Sequence, residues 1–296
     1  MKKILVIGSS NLDMTLRCNN FPKPGETIAC NSFNLSIGGK GLNQAVAASL
    51  TKANVTFLTA LGNDRNKDYI LDNLKDYNLN IKTIIKNSPT GNAIILVEEE
   101  TKENEIIITG GANQELDKND IDNNIDLIKE CDYILLQLEI NIDTIKYIIS
   151  KAKLYNKEVI LNPAPYQYLD NDILENVGYL TPNERELSSL TGEDDYMEGA
   201  KTLLNKGVKN IIVTLGSKGS VLVNKDEVIK IESHKVNAFD TTGAGDSYNG
   251  VFLGFLSQGY TIKESLSYAS IASALSVTKK GAAKSYPKKD EILNFR

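Results

Sequence analysis

Short apolar runs separated by stretches of helical period recur along almost the whole chain. ILVIG (residues 4–8), VTFLTALG (55–62), YILLQLE (133–139), EVILN (158–162), VGYLT (177–181) and NIIVTLG (210–216) are apolar without alternation. A strand of that kind is buried on both faces, which suits a parallel sheet covered by helices. Between the runs the pattern predicts helices over 40–53, 66–77, 117–130, 141–154 and 195–206. Strands and helices in alternation point to a doubly wound α/β fold, a mainly parallel sheet sandwiched by helices. With 296 residues the chain is long enough to bury a large core.

Two stretches break the alternation. Residues 27–37 and 90–110 read as β ribbons, the second being TGNAIILVEEETKENEIIITGGAN, two β-rich runs joined by a polar turn. They form either a small β lid over the ends of the main sheet or an extra edge pair of it. The last third adds a hairpin around GSVLVNKDEVIKIES and two long helices, about 243–258 and 261–278. There is no internal repeat, low-complexity tract or linker.

Net charge is −5, which argues against nucleic acid as a partner, because backbone phosphates demand a basic surface. A nucleotide remains open, since backbone N–H groups and a cation can hold phosphate without one. Cys18, Cys30 and Cys131 form no C-x-x-C pair and no zinc spacing. They read as reduced thiols of a cytoplasmic protein. The start, Met-Lys-Lys before ILVIG, is too short in its apolar run for a signal peptide, and no stretch approaches the length of a membrane span.

The segment DTTGAGDSYNG (240–250) carries the chemistry. It follows a strand-like segment and opens a helix, whose start supplies unpaired N–H donors and a positive dipole end. Gly243, Ala244 and Gly245 are therefore a candidate anion hole for a phosphoryl group. Asp246, in the first helical turn, is either a plain capping carboxylate or a general base aimed at a hydroxyl beside that hole. SIGGKGLNQAVAAS (36–49) sets a glycine pair, Gly38 and Gly39, before a helix, with Asn43 in its first turn. That pair is a hinge or an ordinary tight turn. GSSNLD sets Asn11 and Asp13 just past the first strand, where open α/β sheets bind ligands.

Together with QLE (137–139), LNPAP (161–165), TPNERE (181–186), TLGSKG (214–219) and VTKKGAAKS (277–285), these segments resemble the PfkB (ribokinase) family of carbohydrate kinases along essentially the whole chain. The resemblance implies one kinase domain over 1–296 with a lid from about 12–37 and 90–110. It implies transfer of phosphate from ATP to the 5-hydroxyl of D-ribose, with Asp246 as base. Asn11, Asp13, Gly39, Lys40, Asn43 and Glu139 match positions that hold the sugar. Asn183 and Glu186 match an N-x-x-E element associated with Mg²⁺, through water, and with phosphates. Thr214, Leu215, Gly216, Ser217, Lys218 and Gly219 match the loop touching the nucleotide. Asp240, Thr242, Ser276, Lys279, Gly281 and Ser285 match a K⁺ site next to the anion hole, most through backbone carbonyls. Ser270 stands where many relatives carry His or Asn near the adenine. A homodimer through two lids is implied as well.

Competing readings are weaker on the residues. A Rossmann dehydrogenase lacks its G-x-G-x-x-G, and a P-loop enzyme its G-x-x-x-x-G-K-[ST]. A kinase of the same family acting on deoxyribose, a nucleoside or another sugar stays open. A non-catalytic sugar-binding regulator would have lost the base or the anion-hole glycines, and both are present.

Overall fold

The computed structural model describes residues 1–101 and 103–295. In chain order the elements begin with β1 (Lys3–Ile7), β2 (Asn11–Cys18), β3 (Ser32–Gly38), α1 (Lys40–Leu50), β4 (Asn54–Gly62), α2 (Arg65–Leu74), β5 (Asn80–Lys86), β6 (Gly91–Glu98) and β7 (Asn104–Thr109). Then come α3 (Lys118–Asn123), α4 (Ile125–Glu130), β8 (Tyr133–Leu136), α5 (Ile142–Leu154), β9 (Glu158–Leu161), α6 (Asn171–Leu174), β10 (Tyr179–Leu180), α7 (Glu184–Thr191) and α8 (Tyr196–Asn205). The last are β11 (Asn210–Thr214), β12 (Ser220–Asn224), β13 (Val228–Ile231), α9 (Ala244–Ser257), α10 (Ile262–Ser276) and α11 (Lys289–Leu293).

The expected doubly wound sheet is present, in the order β13-β12-β11-β10-β9-β8-β1-β4-β5. Every pair from β11 to β5 is parallel; β12 and β13 return antiparallel at one edge. β1 shows why the apolar runs lack alternation. Ile4 and Val6 face one hydrophobic core with α1, α9 and α10, while Leu5 and Ile7 face a second with α5 and α8. Both faces are dry, so both sets of side chains are apolar.

The ribbons form a separate sheet, in the order β3-β2-β6-β7, not an edge pair of the main one. Its strand over Asn11–Cys18 takes in Asn11 and Asp13, which the sequence placed just past the first strand. Residues 27–31 of the expected ribbon are not strand. This sheet rises where β1 ends and α1 begins, and Tyr69 of α2 ties it down by donating its hydroxyl to the Leu35 carbonyl at 3.1 Å.

Several boundaries moved. The helix expected over 117–130 is two, because Asn124 sits at φ −121°, ψ 22° and ends the first of them. Asp117 starts that first helix with a capping box to Asp120. β5, α6, α7 and α11 were not foreseen. β5 is a half-exposed edge strand, NIKTIIK, in which polar residues blur the apolar run. Among the described residues no helix is long and apolar enough to cross a membrane.

Candidate active site

The order in which strands are added to the sheet reverses at β1, with β4 on one side and β8 on the other. Ligands of open α/β sheets bind outside the carboxyl ends of strands at such a switch point. The residues just past those ends here are Ser9, Ser10 and Asn11 after β1, Gln137 and Glu139 after β8, Asn162 after β9, Thr181 and Asn183 after β10, and Thr214 closing β11. Asn183 pairs with Thr214 as one further parallel bridge.

Asp246 stands in the first turn of α9, but it does not cap that helix. The N-cap is Gly243, at φ 73°, with no side-chain capping bond. The Asp246 carboxylate instead accepts Asn43 Nδ2 on Oδ2 at 3.1 Å and Gln44 Nε2 on Oδ1 at 2.9 Å, both from α1. Burial pushes its pKa up from the ordinary carboxylate value. The Lys40 charge and the Gln44 and Asn43 amides pull against that rise.

The amide orientations around Asp246 are set in a chain. Asn162 Nδ2 donates to the Thr181 carbonyl at 3.0 Å, so its Oδ1 must face Gln44. Gln44 Nε2 then donates to that Oδ1 at 3.1 Å, and Gln44 Oε1 accepts Gln137 Nε2 at 2.7 Å. A backbone carbonyl, which can only accept, thus fixes the polarity that delivers a donor to Asp246. Gln44, Gln137 and Asn162 lie inside quoted motifs, yet sequence reading assigned them no role; a neutral amide in a helix gives no pattern of its own.

The expected sugar-side residues meet here. Asn11 Oδ1 accepts Asn113 Nδ2 at 2.8 Å, and Asn113 Oδ1 accepts the Ser10 amide at 2.9 Å. Asn113 was missed, because it lies in a helical turn (Gly111–Glu115) far along the chain. Glu139 Oε2 accepts both the Ser9 hydroxyl at 2.5 Å and the Lys40 backbone N–H at 2.9 Å. Gly39, at φ 91°, turns the chain from β3 into α1 in a region that favours glycine. Asp13 points from β2 toward the same carboxylates. Burial first, then the charges of Glu139 and Asp246, push its pKa up to about 7. Lys40 faces this cluster. The Asp246 charge holds its ammonium above the ordinary value, against the effect of burial, with Glu139 and Glu186 adding to it.

The phosphate side is a cleft lined by Lys40, Asn183, Glu186, Gly243, Gly245 and Asp246, among others. The face of Gly245 is open: a Cβ placed there would meet no atom within 4 Å. Tyr286, fully packed, donates its hydroxyl to the Gly243 carbonyl at 3.0 Å and so braces the turn. Thr181 Oγ1 and Asn249 Oδ1 belong to the same cleft and find no hydrogen-bond partner among the described residues. Asn183 and Glu186 form a capping box at the start of α7, leaving one Glu186 oxygen uncommitted. Burial raises the pKa of that carboxyl, an environment that favours a neighbouring cation.

The loop pair expected to hold a monovalent ion is assembled. Asp240 accepts the Thr242 amide at 3.0 Å and the Gly281 amide at 2.9 Å, which joins the two segments. Ser276 and Ser285 turn their hydroxyls to carbonyls of their own chain, and Lys279 pairs with Glu291 at 3.3 Å. Their hydroxyl protons and the Lys279 ammonium are thus committed within the chain, and the backbone oxygens of the two segments remain as donors to an ion. Among the described residues no cluster of three acidic, His or Cys side chains could hold a metal. Thr214 lines the cleft, Leu215 is buried, and a helical turn over Gly216–Lys218 leads to Gly219 at φ 97°. Lys218 lies outside the cleft beside Glu184, at 3.5 Å. Ser270 donates its hydroxyl to the Glu232 carbonyl at 3.1 Å and is 6% exposed, so little of it is offered to a ligand.

The model of the pfkB family carbohydrate kinases matches residues 1–289. A deoxyribokinase of Salmonella typhi is 37% identical, over 99% of this chain and 98% of that protein. The crystal structure of a ribokinase from Thermotoga maritima is 41% identical and superposes with a TM-score of 0.92, covering 99% of this chain and 98% of the other. An Arabidopsis thaliana ribokinase complexed with ribose and ATP is 30% identical with a TM-score of 0.88, covering 100% of this chain and 99% of the other. From its first strand to its last helices, the chain belongs to the pfkB family of carbohydrate kinases.

Proposed function

We propose that this chain transfers the γ-phosphoryl group of ATP to the 5-hydroxyl of D-ribose, giving D-ribose 5-phosphate and ADP. The observation that carries the reading is the Asp246 carboxylate, buried in the cleft that Gly243, Ala244 and Gly245 line and oriented by two α1 amides. Asp246 takes the hydroxyl proton as the oxygen attacks phosphorus, and the amides bind the charge that spreads over the phosphoryl oxygens. Asn11, Asp13, Gly39, Lys40, Asn43 and Glu139 hold the sugar hydroxyls, each of which needs a partner once buried.

Mg²⁺ fits the free oxygen of Glu186 through water, and K⁺ fits the carbonyls of the 240–242 and 276–285 segments. When bound, the two supply charge neutralisation and order beside the anion hole. The small sheet acts as the lid, hinged at Gly38–Gly39, and its outer face pairs two copies of the chain.

A second reading, 2-deoxyribose as the acceptor, is favoured by the similarity to the Salmonella deoxyribokinase. ADP release measured across ribose, deoxyribose, hexoses and nucleosides decides. Ribose with the highest kcat/KM supports the first reading; deoxyribose ahead of it installs the second. Asp246→Asn is expected to lower kcat by about two to four orders of magnitude with ATP still bound. A variant within threefold of the parent would remove Asp246 as base.

A further inference from the structure

Two of the three cysteines meet in the small sheet. Cys18 ends β2 and is fully buried, Cys30 is half-exposed in the connection to β3, and their sulfurs lie 3.1 Å apart as free thiols. The backbone around them is already pinned. The Asn31 N–H donates to the Arg17 carbonyl at 2.6 Å, and the Glu99 N–H to the Cys18 carbonyl at 3.0 Å. Asn31 Nδ2 donates to Asn19 Oδ1 at 2.7 Å and to Glu99 Oε2 at 2.9 Å. The sulfurs are thus held within reach by contacts that do not involve them, and joining them asks for little backbone movement.

We propose that Cys18 and Cys30 are an oxidation site, closed to a disulfide by exchange with a small-molecule disulfide of the glutathione class. Cys30, the accessible partner, loses its proton and attacks one sulfur of the small disulfide, expelling a small thiolate. Cys18, deprotonated in turn, attacks the Cys30 sulfur of the mixed disulfide and expels the second small thiol. Two protein thiols are oxidised, one small disulfide is reduced to two thiols, and no further co-reactant is needed.

The same geometry makes the bridge slow to reopen. Only the Cys30 sulfur can be reached from solvent, so an attacking thiol must expel Cys18. The Cys30 thiol beside it, then burial, push the Cys18 pKa up; the burial persists when Cys30 is tied up in a mixed disulfide, and a buried thiolate is a poor leaving group. The bridge stands at the far end of β2 from Asn11, about 23 Å away for an eight-residue strand. It staples the lid's outer turn without entering the site.

The test treats native protein with oxidised glutathione and then denatures it for thiol titration and peptide mapping. Free thiols are expected to fall from three to one, with residues 18 and 30 linked, no glutathione retained and sugar kinase activity preserved. Bridging is expected to quicken from about pH 7 to about pH 9, as thiolate accumulates. Cys18→Ala should instead keep one glutathione on Cys30, and Cys30→Ala should react at neither position; thermal melting checks that each variant is folded. Three remaining thiols, a lasting glutathione adduct on Cys30 of the parent, or a bridge to Cys131 would each overturn the assignment. The thiol readouts do not depend on which sugar is phosphorylated.

Discussion

Asp246 sits among opposing demands. Burial favours its neutral form, while a base must be ionised before it can take a proton. The donors from Gln44 and Asn43 stabilise the ionised form, with Lys40 as the nearby positive charge; Glu139 raises the pKa, and Asp13 and Glu186 add further carboxyls to the cluster. Replacing Gln44 by Leu removes a hydrogen bond to a charged group, worth about 1.5–3 kcal/mol, or about one to two pH units. The acid limb of the kcat profile should therefore move to higher pH by that amount. A fall in kcat with the limb unmoved would mean Gln44 only packs. Asp13 gives a second expectation at this scale. Its unfolded value is 3.8 and its folded value about 7. Between the two the folded protein holds the extra proton, so stability falls as pH rises through that window. Asp13→Asn should raise the melting temperature at about pH 8, change it little at about pH 4, and weaken sugar binding. A melting temperature that falls at about pH 8 would show that the carboxylate is not a burden to the fold.

The close approach of α1 to α9 is what brings Asn43 and Gln44 within reach of Asp246. It depends on Gly250, where a Cβ would lie 2.4 Å from the Gln44 carbonyl oxygen and 2.6 Å from Ala47 Cβ. Gly250→Val should push the helices apart, at about 1–3 kcal/mol of overpacking, and lower kcat more than it weakens ATP binding. Unchanged kcat with a lowered melting temperature would disconnect the packing from the base. Elements of this kind explain how far sequence reading went. The parallel strands and α9 were legible because burial on both faces leaves continuous apolar runs. DTTGAGD was legible because it stands in order with the other family segments; by itself an aspartate at a helix start reads equally as a cap. β5 was not, since an edge strand with Asn80, Lys82 and Lys86 carries a weak apolar signal. α7 was not, because its eight residues bury only Leu187 fully. The Thr181–Asn162–Gln44–Gln137 chain was invisible for a different reason: it joins four strand and helix ends, and local pattern says nothing about which ends meet.

At the scale of the molecule the outer face of the small sheet stands open. Phe33, Ile94 and Ile107, which the pairing register puts on the face opposite Asp13, are each at least 41% exposed, and an apolar face of that kind marks an interaction surface. The proposed pairing of two lids predicts a dimer by light scattering at micromolar concentration, and Ile107→Lys should shift it toward a single chain. A monomeric parent with full activity would reject the pairing. K⁺ should raise kcat with little effect on sugar KM, and Na⁺ much less; equal rates in K⁺-free buffer would take the ion out of the scheme.

The Asn43–Asp246 and Gln44–Asp246 bonds span 203 and 202 residues of chain. A ribosome must therefore add about 200 residues after α1 before the two halves of the site can meet. β2 and α1 emerge first, and wait for Asp246 on α9. Until then the nascent chain is a sheet with half a pocket. Sugar bound at the proposed site would be a clasp between α1 and α9, so it should slow amide hydrogen exchange in the two helices together.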